Sequence, residues 1–317
     1  MRCLVTGGAG FIGVHLAERL ASLGHSVMIY DIVNPDSIKP IPGVTYYCRN
    51  ITNLSLLPVC DWLFHLAAQA DVIRSIENPW LYHEVNVDGT VNLLRHFEGV
   101  KRFIYASSTS IYGIPKEYPT PETAPADPQY PYSLTKYVAE QYVMHWGKVY
   151  GLPVVSLRIT TAYGPGMKSR GAYGSVFKVF MAQKANNAPF TVVGDGSQSR
   201  DFVWIRDVVD AFIKAAESDI KGEIFNVGFG QPRTVNSLVK LLGDGSVIYL
   251  PKRPGEPDRT WADISKIRGM LGWESKVSLE EGVKEMLEHL DDWKGETVWT
   301  PQSIEKATTE WFKYLRS

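Results

Sequence analysis

A short apolar run, Arg2-Cys3-Leu4-Val5-Thr6, leads straight into Gly7-Gly8-Ala9-Gly10-Phe11-Ile12-Gly13 and then into a helical apolar pattern. The spacing Gly8-x-Gly10-x-x-Gly13 between a strand and a helix has few structural uses. Glycines permit the tight turn and let the backbone approach a pyrophosphate, which the free N–H groups and dipole of the helix N-terminus favour. The competing use is a glycine turn that serves only helix–strand packing. Asp31 closes the second strand candidate 18 residues after Gly13. An acid there accepts hydrogen bonds from a ribose 2′-OH and repels a 2′-phosphate. A plain turn or helix cap is the alternative for Asp31 taken alone. No Arg or Lys follows until Lys39, so NAD is expected over NADP.

Downstream, the first half alternates short apolar runs with helical patterns, as a parallel sheet requires when crossover helices cover both faces. Arg2–Thr6, Ser26–Tyr30, Trp62–Leu66, Arg102–Ala106 and Pro153–Arg158 read as strands, and Phe11–Leu23, Val85–Phe97 and Ser133–Tyr150 as helices. Right-handed crossovers turn that order into an α/β fold, a doubly wound parallel sheet of Rossmann type. After Tyr163-Gly164-Pro165-Gly166 the texture changes to a glycine-rich Ser169–Gly174, a helix near Val176–Lys184, and short Pro- and Gly-punctuated segments up to about Pro257. We expect residues 1–164, rejoined by about 201–230, to form the dinucleotide-binding domain. Residues 165–317 are expected to be mainly a smaller, loop-rich substrate-binding region ending in a helical tail. In that tail Ile304–Leu315 reads as a helix, and Trp299 and Trp311 as packing.

Composition narrows the function classes. At 317 residues, 44% of them hydrophobic, the chain is long enough to bury a sizeable core. Lys and Arg number 33 against 34 Asp and Glu, a net charge of −1 with no block of like charge. Neither a nucleic-acid groove nor a polybasic membrane patch is indicated. No apolar run reaches the ~18–20 residues of a membrane span, and Cys3-Leu4-Val5 is too short for a signal-peptide core, so a cytoplasmic location is expected. Cys3, Cys48 and Cys60 are odd in number and lack Cys-x-x-Cys spacing, which fits a reducing compartment and indicates no metal site.

Candidate chemistry centres on Tyr132-Ser133-Leu134-Thr135-Lys136, which sets Tyr132 and Lys136 one turn apart on one helix face. A phenol with a pKa of ~10 is too weak an acid to act as a base at neutral pH, but a nearby ammonium stabilises the phenolate and lowers that pKa. Tyr-x-x-x-Lys alone is common on helix surfaces. Its weight comes from Tyr105-Ala106-Ser107-Ser108-Thr109-Ser110-Ile111-Tyr112-Gly113, a hydroxyl cluster directly after a strand, where an open α/β sheet presents its ligand crevice. His65, on an apolar strand end, reads as structural.

The glycine loop, the hydroxyl cluster and the Tyr132/Lys136 pair together resemble the extended short-chain dehydrogenase/reductases. Within that family they are similar to the NAD-dependent nucleotide-sugar epimerases and dehydratases, UDP-hexose 4-epimerases among them. The resemblance runs from about Arg2 to Gly282 and includes His65-Leu66-Ala67-Ala68-Gln69-Ala70, Asn86-Val87-Asp88-Gly89-Thr90, Tyr163-Gly164-Pro165, Gly194 to Phe202, and Arg253-Pro254-Gly255-Glu256. It implies Tyr132 as proton-transfer base, Lys136 as its tuner and a holder of the nicotinamide ribose, and Ser108 as partner of the reacting hydroxyl. Gly7, Gly10, Phe11, Ile12, Gly13, Asp31, Leu66, Ala67, Ala68, Gln69 and Asn86 would border the NAD. Asn50-Ile51 stands where the family usually has an acidic residue before an apolar one, near the adenine.

For substrate, the resemblance places Arg200 and Arg253 at the diphosphate or nucleoside, with surface salt bridges as the bland alternative. Glu256 matches an acidic position that meets the nucleotide ribose. Thr260 aligns with a size gate beside the hexose, where a small residue admits an N-acetyl group. Thr161 replaces the family's usual asparagine. Dehydratases of this family carry an Asp-Glu pair after the catalytic hydroxyl residue, and this chain has Thr109 and Ser110 there. Neither serves as a general acid or base near neutral pH, and no cysteine lies near the crevice by motif, so dehydration and 3,5-epimerisation are disfavoured. The reading is therefore an NAD-dependent 4-epimerase of a UDP-hexose or UDP-N-acetylhexosamine, working by transient oxidation at C4. A nucleotide-sugar oxidoreductase or dehydratase of the same fold is the runner-up, and an NAD- or sugar-binding regulator the non-enzyme alternative. Val138, Val143 and Met144, on the helix of Tyr132, read either as core or as part of a homodimer interface.

Overall fold

The computed structural model describes residues 1–54, 56–96, 98–167, 173–243 and 245–315. Strands β1 (Arg2–Thr6), β2 (Ser26–Asp31), β3 (Val44–Cys48), β4 (Trp62–His65), β5 (Arg102–Ser108) and β6 (Val154–Ile159) join a further strand, Glu223–Val227, in one sheet. All pairings are parallel, in the order β3-β2-β1-β4-β5-β6 followed by Glu223–Val227. The fold is thus the expected doubly wound α/β sheet. The chain leaves β1 toward β2 and β3, then returns to β4 on the other side of β1, which opens a crevice at the strands' C-terminal ends.

Helices α1 (Phe11–Ser22), α2 (Val72–Glu77), α3 (Pro79–His83), α4 (Gly89–Leu94), α5 (Pro131–Tyr150), α6 (Val176–Ala185) and α7 (Ile205–Glu217) surround the sheet and its extension. Because side chains alternate along a strand, Cys3, Val5, Phe64 and Ile104 face one core with α1 and α7. Leu4, Leu63, Phe103 and Tyr105 face the other, with α4 and α5. Burial on both faces is why these strands read as continuous apolar runs. A third core gathers the later half around Tyr163, which stacks on Phe177 with centroids 4.3 Å apart, and around Trp204 and Trp311.

Several boundaries differ from expectation for physical reasons. β5 continues two residues beyond Ala106, so Ser107 and Ser108 end a strand. β3 escapes the periodicity because it is an edge strand exposed along much of its length. The expected helix Val85–Phe97 is a π-helical turn over Glu84–Asp88 leading into α4, preceded by α2 and α3; Phe97 lies outside the described residues, as does most of Ser169–Gly174. Ile304–Leu315 is two helices, Pro301–Ala307 and Thr309–Tyr314, broken at Thr308, whose hydroxyl donates back to Ile304 O at 2.8 Å. Sequence reading also missed α7, whose apolar face packs against α1. Among the described residues no helix is long and apolar enough to cross a membrane.

Candidate active site

The crevice is a cavity of ≈ 1010 Å³ bordered at one end by the glycine loop and at the other by residues of the later half. Its floor is shaped by missing side chains. Gly7 has φ +69°, and a Cβ there would stand 2.6 Å from Ala67 N; at Gly8 it would meet Ile29 at 2.6 Å, and at Gly13 it would meet Gly7 O at 2.3 Å. The loop is tied down by Gly7 N–H to Tyr30 O (2.8 Å) and Gly10 N–H to Gly7 O (3.0 Å). Gly10 caps α1 without a side chain, so the first-turn N–H groups are left for an anion. Asp31 accepts from Ala9 N–H through Oδ2 and from Val33 N–H through Oδ1, both at 3.0 Å. It therefore caps the loop and lines the cavity at once. A tight loop whose packing against Ala67, Ile29 and its own backbone admits no Cβ, uncapped helix donors and an acid at the second strand's end fit a dinucleotide.

Packed directly beside the loop, Leu66-Ala67-Ala68-Gln69 form the adjoining wall, and Asn50 and Ile51 also line the cavity. Asn86 stands behind this wall and does not line the cavity. It accepts from Gln69 N–H (2.7 Å) and donates to Gln69 O (3.0 Å) and Thr135 Oγ1 (3.0 Å), so its part is to hold Gln69 in place. A π-helical turn at this residue is the kind of local departure that accompanies functional sites. His65 is buried between Thr6 and Thr90, with both ring nitrogens 2.8 Å from a hydroxyl. Burial pushes it down to about 3, so it is neutral. Its role is structural, joining β1 to the cofactor wall.

Between the two ends lie Ser108, at the tip of β5, and Tyr132 and Lys136, in the first turns of α5. Pro131 at the first helical position and Ser133 Oγ, 3.3 Å from Tyr130 N, start α5 at this point. Ser108 lines the cavity together with Tyr132, and its side chain accepts from Ser110 N–H at 3.2 Å. Lys136 is buried, donates to Ala106 O and has Nζ 4.4 Å from the Tyr105 ring centroid. The charges here correct the simple expectation of a depressed phenol. Burial raises Tyr132, partly offset by the Ser108 hydroxyl, and burial brings Lys136 down to about 7 against the pull of Glu140.

At the far end Glu256 joins two arginines: Arg253 donates to it at 2.8 Å, and Arg200 lies 3.8 Å away. Arg253 also donates to the Tyr173 hydroxyl. Both arginines are thus ion-paired, as the bland alternative expects, but the pairs are partly buried and line the cavity. Thr109, Thr161 and Thr260 line the same end. Sequence reading missed Asp201 as a brace. Its backbone accepts from Thr161 N–H (3.0 Å) and donates to Thr260 Oγ1 (3.2 Å), while its buried carboxylate accepts from Phe229, Gly230 and Ala262 N–H groups. Burial pushes that carboxyl up to about 6. Trp311, from the tail, reads in sequence as packing. It is packed, and it also borders the cavity and donates to Pro254 O at 2.9 Å, which fixes the loop carrying Arg253. Nothing in sequence spacing links residue 311 to residue 253.

Known proteins match this arrangement. The model of the NAD dependent epimerase/dehydratase family matches residues 3–228. UDP-glucose 4-epimerase from Mycolicibacterium smegmatis is 34% identical, the alignment covering 91% of this chain and 98% of that one. The crystal structure of UDP-glucose 4-epimerase from Thermotoga maritima, with UDP-glucose, superposes at a TM-score of 0.86 with 35% identity over 92% of this chain and 99% of that one. UDP-glucuronic acid 4-epimerase from Bacillus cereus, in complex with UDP-glucuronic acid and NAD, gives 0.85 with 30% identity, again over 92% and 99%. With the glycine cradle and the Ser108, Tyr132 and Lys136 cluster in place, the chain belongs to the NAD-dependent epimerase/dehydratase family.

Proposed function

We propose that the protein is a 4-epimerase of a UDP-hexose or UDP-N-acetylhexosamine that uses NAD held in the glycine cradle. The observation that carries this is the order of groups along one cavity. Dinucleotide-type donors lie at one end, Arg200, Arg253 and Glu256 at the other, and Ser108 with Tyr132 between them. Similarity to UDP-sugar 4-epimerases over nine-tenths of the chain supports the same reaction. On this reading residues 1–164 with about 201–230 hold the cofactor, and 165–317 mainly the substrate.

Bound NAD supplies the hydride acceptor and donor for the sugar carbon. The chain's own groups do the rest. Arg200 and Arg253 hold the diphosphate, with forked guanidinium donors suited to it. The Ser108 hydroxyl orients the reacting sugar hydroxyl, and the Tyr132 oxygen takes its proton and later returns it. Lys136, as an ammonium one turn away, is the charge that lets the phenol lose its own proton. The keto sugar then turns over between the Arg clamp and the reaction centre, so that reduction occurs on its other face. Thr109 and Ser110 provide no carboxyl group for eliminating water, which disfavours dehydration.

A homodimer is part of the proposal. Val143 is core, but Leu134, Tyr142, Val149 and Tyr150 are exposed on α5, and Trp80 on α3, which packs beside it, is 80% exposed. An apolar face of this kind on paired helices suits a twofold contact. A reducing compartment, the cytoplasm, fits the three free cysteines.

The test is proton NMR in D₂O with UDP-galactose and UDP-N-acetylgalactosamine, other nucleotide sugars in parallel, and no added cofactor. The expected result is the 4-epimer with its C4 proton retained. Tyr132→Phe should lower turnover by at least about 10²-fold while leaving NAD bound. Deuterium entering C3 or C5, turnover only when NAD(H) is supplied, or full activity in Tyr132→Phe would overturn the assignment.

A further inference from the structure

Glu140 is a carboxylate with no exposed surface, on a helix that carries the reaction's proton-transfer pair, and the chemistry outlined above leaves it unused. It follows Lys136 by four residues, as Lys136 follows Tyr132, so the three lie along one face of α5. Both of its oxygens are engaged. Oε1 accepts from Arg158 Nη2 at 2.6 Å and Nε at 3.2 Å; Oε2 accepts from Arg158 Nε at 3.1 Å and from Ser156 Oγ at 2.8 Å. Arg158 also donates to the Tyr112 hydroxyl at 2.9 Å and to Glu122 O at 3.1 Å. A buried ion pair of this kind seldom stabilises a fold more than apolar residues of the same volume would. Stability alone is a weak reason for its presence beside a catalytic lysine.

Lys136 supplies the missing reason. It is buried, with Ala106 O and the Tyr105 ring as close partners, and among the described residues it forms no ion pair. The charged or titratable groups that packing brings around α5 are few on its buried side: Tyr105 on β5, Arg158 on β6, Tyr112 on the turn after β5, and Tyr82 on α3. His65, on β4, is neutral. Arg102 lies at the opposite end of β5, bonded to Ile220 O. Arg74 and Glu77 on α2, His83 on α3, and Glu84 and Asp88 on the π-helical turn all face solvent. The carboxylate of Glu140 is the one buried anion in this group.

We propose that Glu140 is a positioning residue that acts through Lys136: clamped by Arg158 and Ser156, its carboxylate is the buried counter-charge that keeps Lys136 an ammonium one turn from Tyr132. This rests on Tyr132 and Lys136 being the proton-transfer pair. It accords with the balance at Lys136, where burial drives the amine down to about 7 and Glu140 is the group that opposes it.

Glu140→Gln removes the charge and keeps the size. With UDP-galactose as substrate, the alkaline limb of kcat should move down by about one pH unit, with KM within about threefold of wild type and the rate recovered at lower pH. Glu140→Gln/Arg158→Met replaces the pair with neutral groups, sparing the fold an unpaired guanidinium, and should show the same shift. NMR of ¹³Cε-lysine in the holoenzyme, with the Lys136 signal assigned by Lys136→Met, reads the titration without turnover and should move in the same direction. A folded double variant whose kcat limb and Lys136 titration coincide with wild type would overturn the proposal, as would a drop in kcat that is uniform across pH. Full activity in Tyr132→Phe would place the failure in the proton-transfer reading instead, whatever the lysine titration shows.

Discussion

The two ends of the cavity are built on different principles. At the glycine-loop end the cavity surface is largely backbone: Gly7, Gly10 and Gly13, the first N–H groups of α1 and one acid, all within Gly7–Asp31. At the substrate end it is side chain. Thr161, Arg200, Arg253, Glu256 and Thr260 come from separate segments and meet only because Asp201, Tyr173 and Trp311 hold those segments together. A backbone site has little room to vary, since a Cβ at Gly7, Gly8 or Gly13 would collide with the packing that shapes the loop. A side-chain site can be altered one residue at a time, which is how one fold serves different sugars.

The largest effect that would break this comparison is at Gly7. Gly7→Ala places a Cβ 2.6 Å from Ala67 N and forces an L-residue to φ +69°. We expect loss of most bound NAD, read by releasing and quantifying the nucleotide, and a stability cost of about 1–3 kcal/mol. Full occupancy would show that backbone shape does not govern that end. Arg253→Met should have a more graded effect, raising KM for the nucleotide sugar about 10–100-fold through loss of a charged hydrogen-bonding group, with kcat little changed. A fall in kcat at constant KM would mean that the far end takes part in the chemical step.

The smallest effect expected on activity, but a measurable one on stability, is at His65. Unfolded, it takes up a proton near its ordinary 6.5; folded, burial delays this to about 3. Between those values the unfolded chain binds more protons, so stability falls as pH is lowered through that window. His65→Asn should flatten the acid side of a plot of melting temperature against pH while leaving substrate KM unaltered. An unchanged acid limb would remove His65 from the stability of the cofactor half.

How much was legible follows the same division. The glycine loop, Asp31, the hydroxyl cluster Ser107–Ser110 and the Tyr132/Lys136 pair are local patterns, tied to a strand end or a helical turn, and each could be located from spacing; the choice of Ser108 within the cluster came from the family resemblance. Strand β3 was not legible, because it lies exposed on an edge; helix α7 sits in a stretch free of Gly and Pro from Ser197 to Lys221, and its amphipathic pattern is present in the sequence although the reading passed over it. Asn86 was legible as a neighbour of the cofactor wall, but not as the group that grips Gln69 from behind. Asp201 and Glu140 carry no local signal of their roles: the carboxylate of Asp201 accepts from residues 28 to 61 positions away, and Glu140 is clamped by Ser156 and Arg158, 16 and 18 positions away.

By itself, then, the sequence determined the doubly wound sheet and located the glycine loop and the Tyr132/Lys136 pair, because strand alternation, glycine conformation and the helical repeat are properties of consecutive residues. Only the tertiary structure decided the charge on Lys136 and the shape of the substrate end. Both depend on what is buried beside what: a lysine loses water when α5 packs on β5, and Glu256 meets Arg200 and Arg253 when the later half closes on the sheet. Desolvation and long-range packing act through space, and no spacing rule along the chain encodes them.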